Sequence, residues 1–374
     1  MSRFDFSGYR RLVIKVGSSL LVGSDGQLNR AWLDSLANDI ANLSRDGHEV
    51  LVVSSGSIAI GSTILGIEKR RARLEDLQAA AAAGQVQLVH AYQEALKRHD
   101  LVAAQVLLTP EDTENRRRFL NARGTLAKLV DRSVIPVVNE NDTVATEEIR
   151  YGDNDRLAAR IAQLVMADVL VLLSDVDGLY SADPGSNSEA EHIPEVNDID
   201  KSVLDVAGET RSDVGTGGMA TKVQAARIAT HAGCVTVVTS GVIEHPLSAL
   251  RDGARHTVFR SGASPAAARK QWLAGVLEAK GELRLDNGAV DALGRGGSLL
   301  PVGVSSVSGS FRRGDVVKLI EPGGREIGRG LAEYSCDEAL QLAGCRSAEI
   351  ERVIGYRGRD VMVHRDELVL FDND

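Results

Sequence analysis

The sequence is poor in the residues that mark small secreted or metal-stabilised domains. Of its 374 residues, three are cysteines and 4% are aromatic. An odd number of cysteines without a C-x-x-C pair argues against a disulfide framework and favours a reducing compartment. A metal site at Cys336 and Cys345 is disfavoured because no partner ligands lie nearby in the sequence. With so few aromatic rings, the core must be built from Val, Leu, Ile and Ala.

The chain also lacks long apolar runs and an excess of positive charge. Residues 1–10 contain no apolar segment typical of a signal peptide, and no stretch approaches the ~18 apolar residues of a membrane span. The formal net charge is −9, whereas a protein that binds nucleic acid over its whole surface is basic. We therefore expect a cytoplasmic protein that does not associate with membranes.

Short apolar runs alternate with amphipathic segments over residues 11 to about 260. The runs are rich in β-branched residues, which is typical of strands buried on both faces of a parallel sheet. They are Leu12–Val16, Val50–Val53, Ala103–Leu108, Val134–Val138, Val169–Leu173 and Val235–Val238. The helical segments between them are Arg30–Ser44, Glu75–Arg98, Arg118–Val130, Asp155–Leu164 and Met219–His231. This alternation predicts an α/β fold, a three-layer sandwich with a mostly parallel sheet.

The character of the sequence changes after a break at Ser261–Ala268. The apolar runs that follow are short and separated by glycines, which predicts strands of a small β-barrel or sandwich. They are Leu299–Val304, Val316–Leu319, Ile350–Ile354 and Val361–Val363. A chain of this length favours two domains over one. We expect a first domain at residues 1–262, a linker or helix at 263–279 and a second domain at 280–374.

Polar and glycine-rich segments stand where four of the predicted strands end. They are Lys15–Ser19, Ser54–Gly56, Asn139–Asp142 and Ser174–Gly178. Parallel sheets bind ligands just beyond the carboxyl ends of their strands. The sequence therefore predicts one site at this edge of the sheet.

Two lysines beside glycine-rich turns predict a phosphate site. Gly215–Lys222 leads into a helix whose N-terminus would offer N–H groups to an anion. Lys222 lies in the first turn of that helix, where a cation opposes the helix dipole unless an anion is near. A surface loop is the alternative, and the segment does not match a Walker A loop. Lys15 alone could be a strand-end lysine that reaches solvent, but the second glycine-rich segment favours a pair.

Acidic and amide side chains add to this site. In Gly152–Asp155, an N-cap role for Asp153 or Asn154 accounts for one polar side chain, and the others could contact an ammonium group, a metal-bound phosphate or the lysines. Phosphoryl transfer depends mainly on positioning and charge neutralisation. A carboxylate acceptor is ionised at neutral pH and needs no general base, and none of the eight histidines lies in these segments.

Six segments in this order resemble the glutamate 5-kinases of the amino acid kinase family, and the C-terminal ~95 residues resemble a PUA domain. The segments begin at Lys15, Val53, Val138, Gly152, Ser174 and Gly215. The resemblance covers essentially the whole chain. It implies ATP-dependent phosphorylation of the side-chain carboxylate of L-glutamate to L-glutamyl 5-phosphate, the first step of proline biosynthesis.

The resemblance also implies roles for individual residues. Lys15 and Lys222 would flank the phosphoryl group, and Asp155 would orient them. Ser55, Asp142 and Asn154 would bind glutamate. The implied ATP-binding residues are Lys15, Ser174, Asp175, Thr216, Gly217, Gly218, Met219, Ala220, Thr221 and Lys222. The family further implies Mg²⁺ without an assigned protein ligand, feedback inhibition by proline, and a homo-oligomer, either a dimer or a tetramer.

Two alternatives remain at this point. A sibling kinase of the same fold would act on another acceptor, such as acetylglutamate, aspartate or carbamate, although aspartate kinases tend to carry a different regulatory domain. An RNA-binding role through the PUA domain is disfavoured, because Val276–Asp374 has 13 basic and 17 acidic residues, a net charge of −4. Arg357, Arg359 and Arg365 could still form a local basic patch.

Overall fold

The computed structural model describes residues 3–23, 25–68, 71–144, 154–209, 218–275 and 278–371. The chain divides into two compact units. The first comprises Met1–Glu114 and Asn121–Pro265, and the second comprises Asn115–Leu120 and Ala266–Asp374. None of the helices in these described ranges is long and apolar enough to cross a membrane.

The first unit is built on an eight-stranded sheet with the order β3-β4-β2-β1-β5-β9-β10-β8. Its strands are β1 Arg11–Val16, β2 Glu49–Ser54, β3 Val102–Leu108, β4 Val134–Glu140, β5 Val169–Ser174, β8 Glu195–Val196, β9 Val235–Ser240 and β10 His256–Phe259, while β6 Leu179–Tyr180 and β7 His192–Ile193 form a separate pair. The strands from β3 to β9 in this order run parallel, and β10 is antiparallel to β9. The predicted mostly parallel α/β sheet is confirmed.

Helices cover both faces of this sheet. They are α1 Ser18–Leu21, α2 Arg30–Arg45, α3 Ser57–Leu65, α4 Leu74–Lys97, α5 Pro110–Glu114, α6 Arg116–Val130, α7 Asn154–Val165, α8 Lys201–Glu209, α9 Met219–His231 and α10 Pro246–Asp252. Within each of two groups, the helices pack against one another: the first group contains α2, α3, α4 and α10, and the second contains α7, α8 and α9. Helices α3, α8 and α10 were not predicted from the sequence; they are short, at seven to nine residues.

The alternation of side chains along β1 separates the core from the site. Leu12, Ile14 and Val16 belong to the apolar core that contains α2 and α4. Successive side chains of a strand point to opposite faces, so Lys15 lies on the other face, towards α7 and α9. Its exposure is only 8%, and a buried ammonium group requires a partner.

Helices α3 and α4 approach each other unusually closely, and glycines make this possible. A Cβ atom on Gly61 would collide with the carbonyl oxygen of Ala80, and one on Gly84 would collide with that of Ser57. Small residues at a helix crossing allow the two backbones to touch. As a result, the middle of α4 lies against the N-terminal turn of α3, just beyond β2.

The second unit contains a five-stranded sheet with the order β12-β11-β13-β14-β15. Its elements are α11 Pro265–Gly275, β11 Gly281–Leu285, α12 Asn287–Gly294, β12 Val304–Gly309, β13 Val316–Ile320, β14 Glu326–Leu331, α13 Cys336–Leu342, α14 Ile350–Ile354 and β15 Leu368–Leu370. The predicted strand-rich C-terminal domain is confirmed. Of the four strands predicted there, Val316–Leu319 is confirmed and three are wrong: Leu299–Val304 is mostly the 3-10 turn Pro301–Gly303, Val361–Val363 contributes an isolated bridge from Val363 to Leu299, and Ile350–Ile354 is the helix α14. Ile350, Val353 and Ile354 are spaced i, i+3 and i+4, so one turn of helix directs all three to the same core.

Candidate active site

The predicted segments at the carboxyl ends of β1, β2, β4 and β5 lie at one edge of the first sheet. Lys15 is inside β1, Ser55 follows β2, Asp142 follows β4 and Ser174 ends β5. Lys15 pairs with Val53 of β2 and Leu172 of β5 across the ladder. The parallel sheet therefore collects side chains that are more than 100 residues apart in the sequence.

The carboxylate of Asp155 lies between the two lysines. Its Oδ1 is 2.6 Å from Nζ of Lys15, and its Oδ2 is 3.3 Å from Nζ of Lys222. The hydroxyl of Thr221 also donates to Oδ2, at 3.0 Å. All three charged side chains are buried: Lys15 is 8% exposed, Asp155 1% and Lys222 3%. Two ammonium groups are thus fixed on either side of one buried carboxylate.

The electrostatics of this triad keep Asp155 ionised. Burial on its own raises the pKa of Asp155, but the charges of Lys15 and Lys222 outweigh burial, and the pKa lies below its ordinary value. The two lysines and the aspartate of the triad together carry a formal charge of +1 in a buried place. Such an excess is suited to an anionic ligand.

The N-terminus of α9 faces this charge. Its N-cap is Gly218, which has no side chain to cap the helix, and the first N–H groups of a helix, which have no partner within it, can bind an anion. Lys222 is the fourth residue of the helix and Met219 the first. Thr216 and Gly217, which the sequence analysis assigned to ATP, lie outside the described residues, while Gly218, Met219, Ala220 and Thr221 are within them.

A network of amides and hydroxyls lies beside the lysines. Nδ2 of Asn154 donates to Oγ of Ser55 at 2.7 Å and to Oδ1 of Asn139 at 3.4 Å. Asn139 in turn donates to Oε1 of Gln85 at 2.7 Å and to Oγ of Ser57 at 3.3 Å. Oδ1 of Asn154 is buried and has no hydrogen-bond partner among the described residues. The network thus retains an acceptor that is suited to a ligand's N–H group.

Asp142 supplies a second acidic group to this network. Its Oδ2 accepts a hydrogen bond from Ser57 at 3.3 Å. Burial raises the pKa of Asp142 to about 6, against a smaller lowering by the Ser57 hydrogen bond. The carboxylate is therefore ionised at neutral pH without a cationic partner in the described contacts, which suits it to an ammonium group. Gly152 and Asp153 lie outside the described residues.

A cavity of about 480 Å³ opens next to the N-terminus of α9. It is lined by Asp175, Val176, Asp177, Gly178, Leu179, Tyr180, Ala182, Asp183, Pro184, Met219 and Ser240. Asp175 also accepts a hydrogen bond from Ser174 at 2.8 Å. Apolar walls with a few polar groups are typical of a small-molecule pocket, and this volume suits a nucleoside.

Sequence analysis missed part of the network. Gln85 is on α4, away from the strand ends that guided the prediction, while Ser57, the first residue of α3, and Asn139 were noted only as parts of segments. The available signal was a glutamine after the alanine-rich stretch of α4, a polar residue on a helix face of small residues. That signal has no meaning until the α3–α4 packing is known.

Magnesium would find few protein ligands here. Over the described ranges, no group of three or more His, Cys, Asp or Glu side chains could hold a metal ion. Both oxygens of Asp155 face ammonium groups. Mg²⁺ commonly binds through substrate phosphates and water with only one or two carboxylates, so these residues fit an ion that is carried by a bound nucleotide rather than a protein cage.

Comparison with known proteins identifies the family. The amino acid kinase family model matches residues 10–240, and the PUA domain model matches residues 281–354. The chain belongs to the amino acid kinase family. The predicted resemblance is therefore confirmed for both parts of this kinase.

Curated relatives match nearly the whole chain. A glutamate 5-kinase from Rhizobium johnstonii is 52% identical over 369 residues, which cover 99% of this chain and 95% of that protein. A glutamate 5-kinase 1 from Mesorhizobium japonicum is 54% identical over 362 residues, 97% of this chain and 96% of that protein. Among solved structures, a carbamate kinase from Giardia lamblia bound to AMP-PNP is 17% identical and covers 68% of this chain and 99% of its own, with a TM-score of 0.49.

Proposed function

We propose that this amino acid kinase transfers the γ-phosphoryl group of ATP to the side-chain carboxylate of L-glutamate. The product is L-glutamyl 5-phosphate, and the reaction is the first step of proline biosynthesis. The observation that carries the proposal is the buried triad of Lys15, Asp155 and Lys222 beside an amide network. Full-length relatives that are named glutamate 5-kinases support the choice of glutamate.

In this mechanism, an oxygen of the acceptor carboxylate attacks the γ-phosphorus while the bond to the β–γ bridging oxygen breaks and ADP leaves. Lys15 and Lys222 neutralise charge on the transferred group, and Asp155 holds both ammonium groups in place. No proton has to be removed from the nucleophile, because a carboxylate is already ionised at neutral pH. Preorganised cations of this kind lower the barrier most where charge develops.

We assign the amide network to the amino acid. Ser55 and Asn154 would fix it by hydrogen bonds, and the carboxylate of Asp142 would pair with its ammonium group. The N-terminus of α9, together with Ser174 and Asp175, would hold the phosphates and nucleoside of ATP; Thr216 and Gly217 remain part of this proposal. Mg²⁺, brought by ATP, would add positive charge at the phosphates.

A hydroxylamine trap tests the reaction. The acyl phosphate reacts with hydroxylamine to give a hydroxamate, and its formation should require ATP, Mg²⁺ and glutamate together. Aspartate, acetylglutamate and carbamate serve as competing acceptors. If any of these were used with a higher kcat/KM than glutamate, the assignment to glutamate would be wrong, although the kinase fold would remain.

RNA binding by the second unit is the weaker candidate. Several of its basic side chains already pair with acidic ones, including Arg313 and Arg359 with the buried Glu333 and Arg329 with Glu326. Paired cations offer little to phosphate. A filter-binding assay with structured RNA should detect no tight complex at physiological salt. A complex that survives this salt concentration would show that the second unit does bind RNA.

We also propose the remaining family properties for this chain: a cytoplasmic location, feedback inhibition by proline, and a homo-oligomer, either a dimer or a tetramer. The proposed domain limits remain residues 1–262, 263–279 and 280–374, supported by the ranges of the two family models. Proline should raise the KM for glutamate in the hydroxamate assay. Light scattering after size exclusion measures the mass of the assembly directly.

A further inference from the structure

Gln85 is a buried amide whose oxygen, but not its nitrogen, has a hydrogen-bond partner among the described residues. It lies in the middle of α4 and is 8% exposed. Its Oε1 accepts a hydrogen bond from Asn139 at 2.7 Å, but its Nε2 is buried without a hydrogen-bond partner among the described residues. A buried donor without a partner costs free energy, so its retention calls for a ligand.

The orientation of the amides is fixed by the main chain. The backbone N–H of Glu140 donates to Oδ1 of Asn139 at 2.9 Å, which identifies that atom as the oxygen. Nδ2 of Asn139 must then face Gln85, and Gln85 must present its oxygen to it. The unpartnered atom of Gln85 is consequently the nitrogen, which is a donor.

The two unpartnered atoms of the network have opposite character. Nε2 of Gln85 is a donor, and Oδ1 of Asn154 is an acceptor. Both side chains bond to Asn139, so they lie on either side of the same residue. A ligand that satisfies both must carry an acceptor and a donor close together, as the carboxylate and ammonium groups of an α-amino acid do.

Gln85 and Lys15 lie at opposite ends of the site. Asn139, its partner, is on β4, and Lys15 is on β1, with β2 between them. Neighbouring strands are about 4.8 Å apart, so the two positions differ by about 10 Å. An extended amino acid whose side-chain carboxylate meets Lys15 would direct its α-carboxylate towards β4.

We propose that Gln85 is a substrate-binding residue whose Nε2 donates a hydrogen bond to the α-carboxylate of the bound amino acid. This inference rests on the proposed function for its substrate. Gln85 also positions Asn139, and through it Asn154, but the direct hydrogen bond is what distinguishes it from a structural residue.

The substitution Gln85→Glu separates the two roles. It keeps an oxygen for Asn139 and replaces the donor with a second oxygen, which repels a carboxylate when ionised. Glutamate binding is measured by calorimetry without ATP at pH 8, well above the ordinary pKa of a glutamate side chain. The Kd should rise about 10- to 100-fold, the range expected for a hydrogen bond to a charged group. The melting temperature should fall, because a charge is buried, whereas the Kd for ATP should stay unchanged.

Two further variants complete the test. Gln87→Glu adds the same charge on an exposed position of the same helix and should leave the Kd for glutamate unchanged. Gln85→Met removes both the donor and the oxygen that Asn139 uses, without adding charge, so it should also raise the Kd for glutamate. If Gln85→Glu does not fold, an unchanged Kd in Gln85→Met would refute the direct hydrogen bond.

The outcomes separate this inference from the proposed reaction. If Gln85→Glu binds glutamate within twofold of the wild type, or weakens ATP and glutamate binding equally, the direct hydrogen bond does not exist. If the wild type binds glutamate but forms no hydroxamate, the proposed reaction fails while the role of Gln85 is still decided by the calorimetry.

Discussion

Replacing Asp155 by Asn removes the only negative charge from the lysine triad. At an effective dielectric constant of 20, the contacts at 2.6 and 3.3 Å correspond to gross attractions of about 6 and 5 kcal/mol. Desolvation of the buried groups offsets most of this attraction. Removal of one partner from a buried ion pair usually costs about 3–5 kcal/mol, because the remaining charges stay buried without compensation. We expect Asp155→Asn to lower the free energy of unfolding of the first unit by this amount.

Bound ATP should recover part of that loss, because its phosphates supply negative charge to Lys15 and Lys222. The kcat should nevertheless fall by about 100-fold or more, since the ammonium groups are no longer held in position. Urea unfolding can be followed through Trp32, which is buried in the first unit, in a Trp272→Phe background that removes the second of the two tryptophans. If Asp155→Asn lowered the free energy of unfolding by less than about 1 kcal/mol in the absence of nucleotide, this account of the triad would be refuted.

Asp39 provides a matched control for this experiment. It is 1% exposed like Asp155, but it accepts its hydrogen bonds from the N-terminal turn of α10, including Leu247 N at 2.9 Å and Ser248 Oγ at 2.6 Å. Asp39→Asn should lower stability equally with and without ATP, and it should leave kcat close to that of the wild type. If nucleotide rescued both variants alike, the rescue would not depend on the lysines.

Three further predictions follow from the same geometry. Lys222→Ala should lower kcat by orders of magnitude with little change in fold, because it removes stabilisation of the transition state; an effect confined to KM would make Lys222 a binding residue instead. Burial raises the pKa of Asp142 to about 6, so its charge disappears as the pH falls through 6. The kcat/KM for glutamate should fall with it, and a flat profile between pH 7 and 5 would contradict the pairing with the ammonium group. Gly84→Ala should lower the free energy of unfolding by about 1–3 kcal/mol, because the added Cβ overpacks against Ser57. Gly208→Ala, in a helix with open space around it, should raise the free energy of unfolding by up to about 1 kcal/mol. Thermal unfolding of both variants distinguishes packing from helix propensity.

Much of the first unit could be predicted from the sequence. The apolar runs of β1, β2 and β5 and the helical period of α7 are local signals, and a parallel sheet needs both faces covered. Ile350–Ile354 was predicted as a strand because a short β-branched run carries no reliable period. Whether such a run becomes a strand or one turn of helix depends on the core it packs against.

The sequence by itself determined that Lys15 and Lys222 stand beside turns suited to an anion. It also determined that Asp142 follows a strand and that Asn154 stands at the start of a helix, at the same edge of the sheet. Only the tertiary structure decided that Asp155 lies between the two ammonium groups, because that contact depends on where α7 and α9 cross the sheet. Gln85 is the clearest case of this kind. Its place in the site depends on the glycine-mediated packing of α4 on α3, and distances between elements of this kind are not encoded by any local pattern.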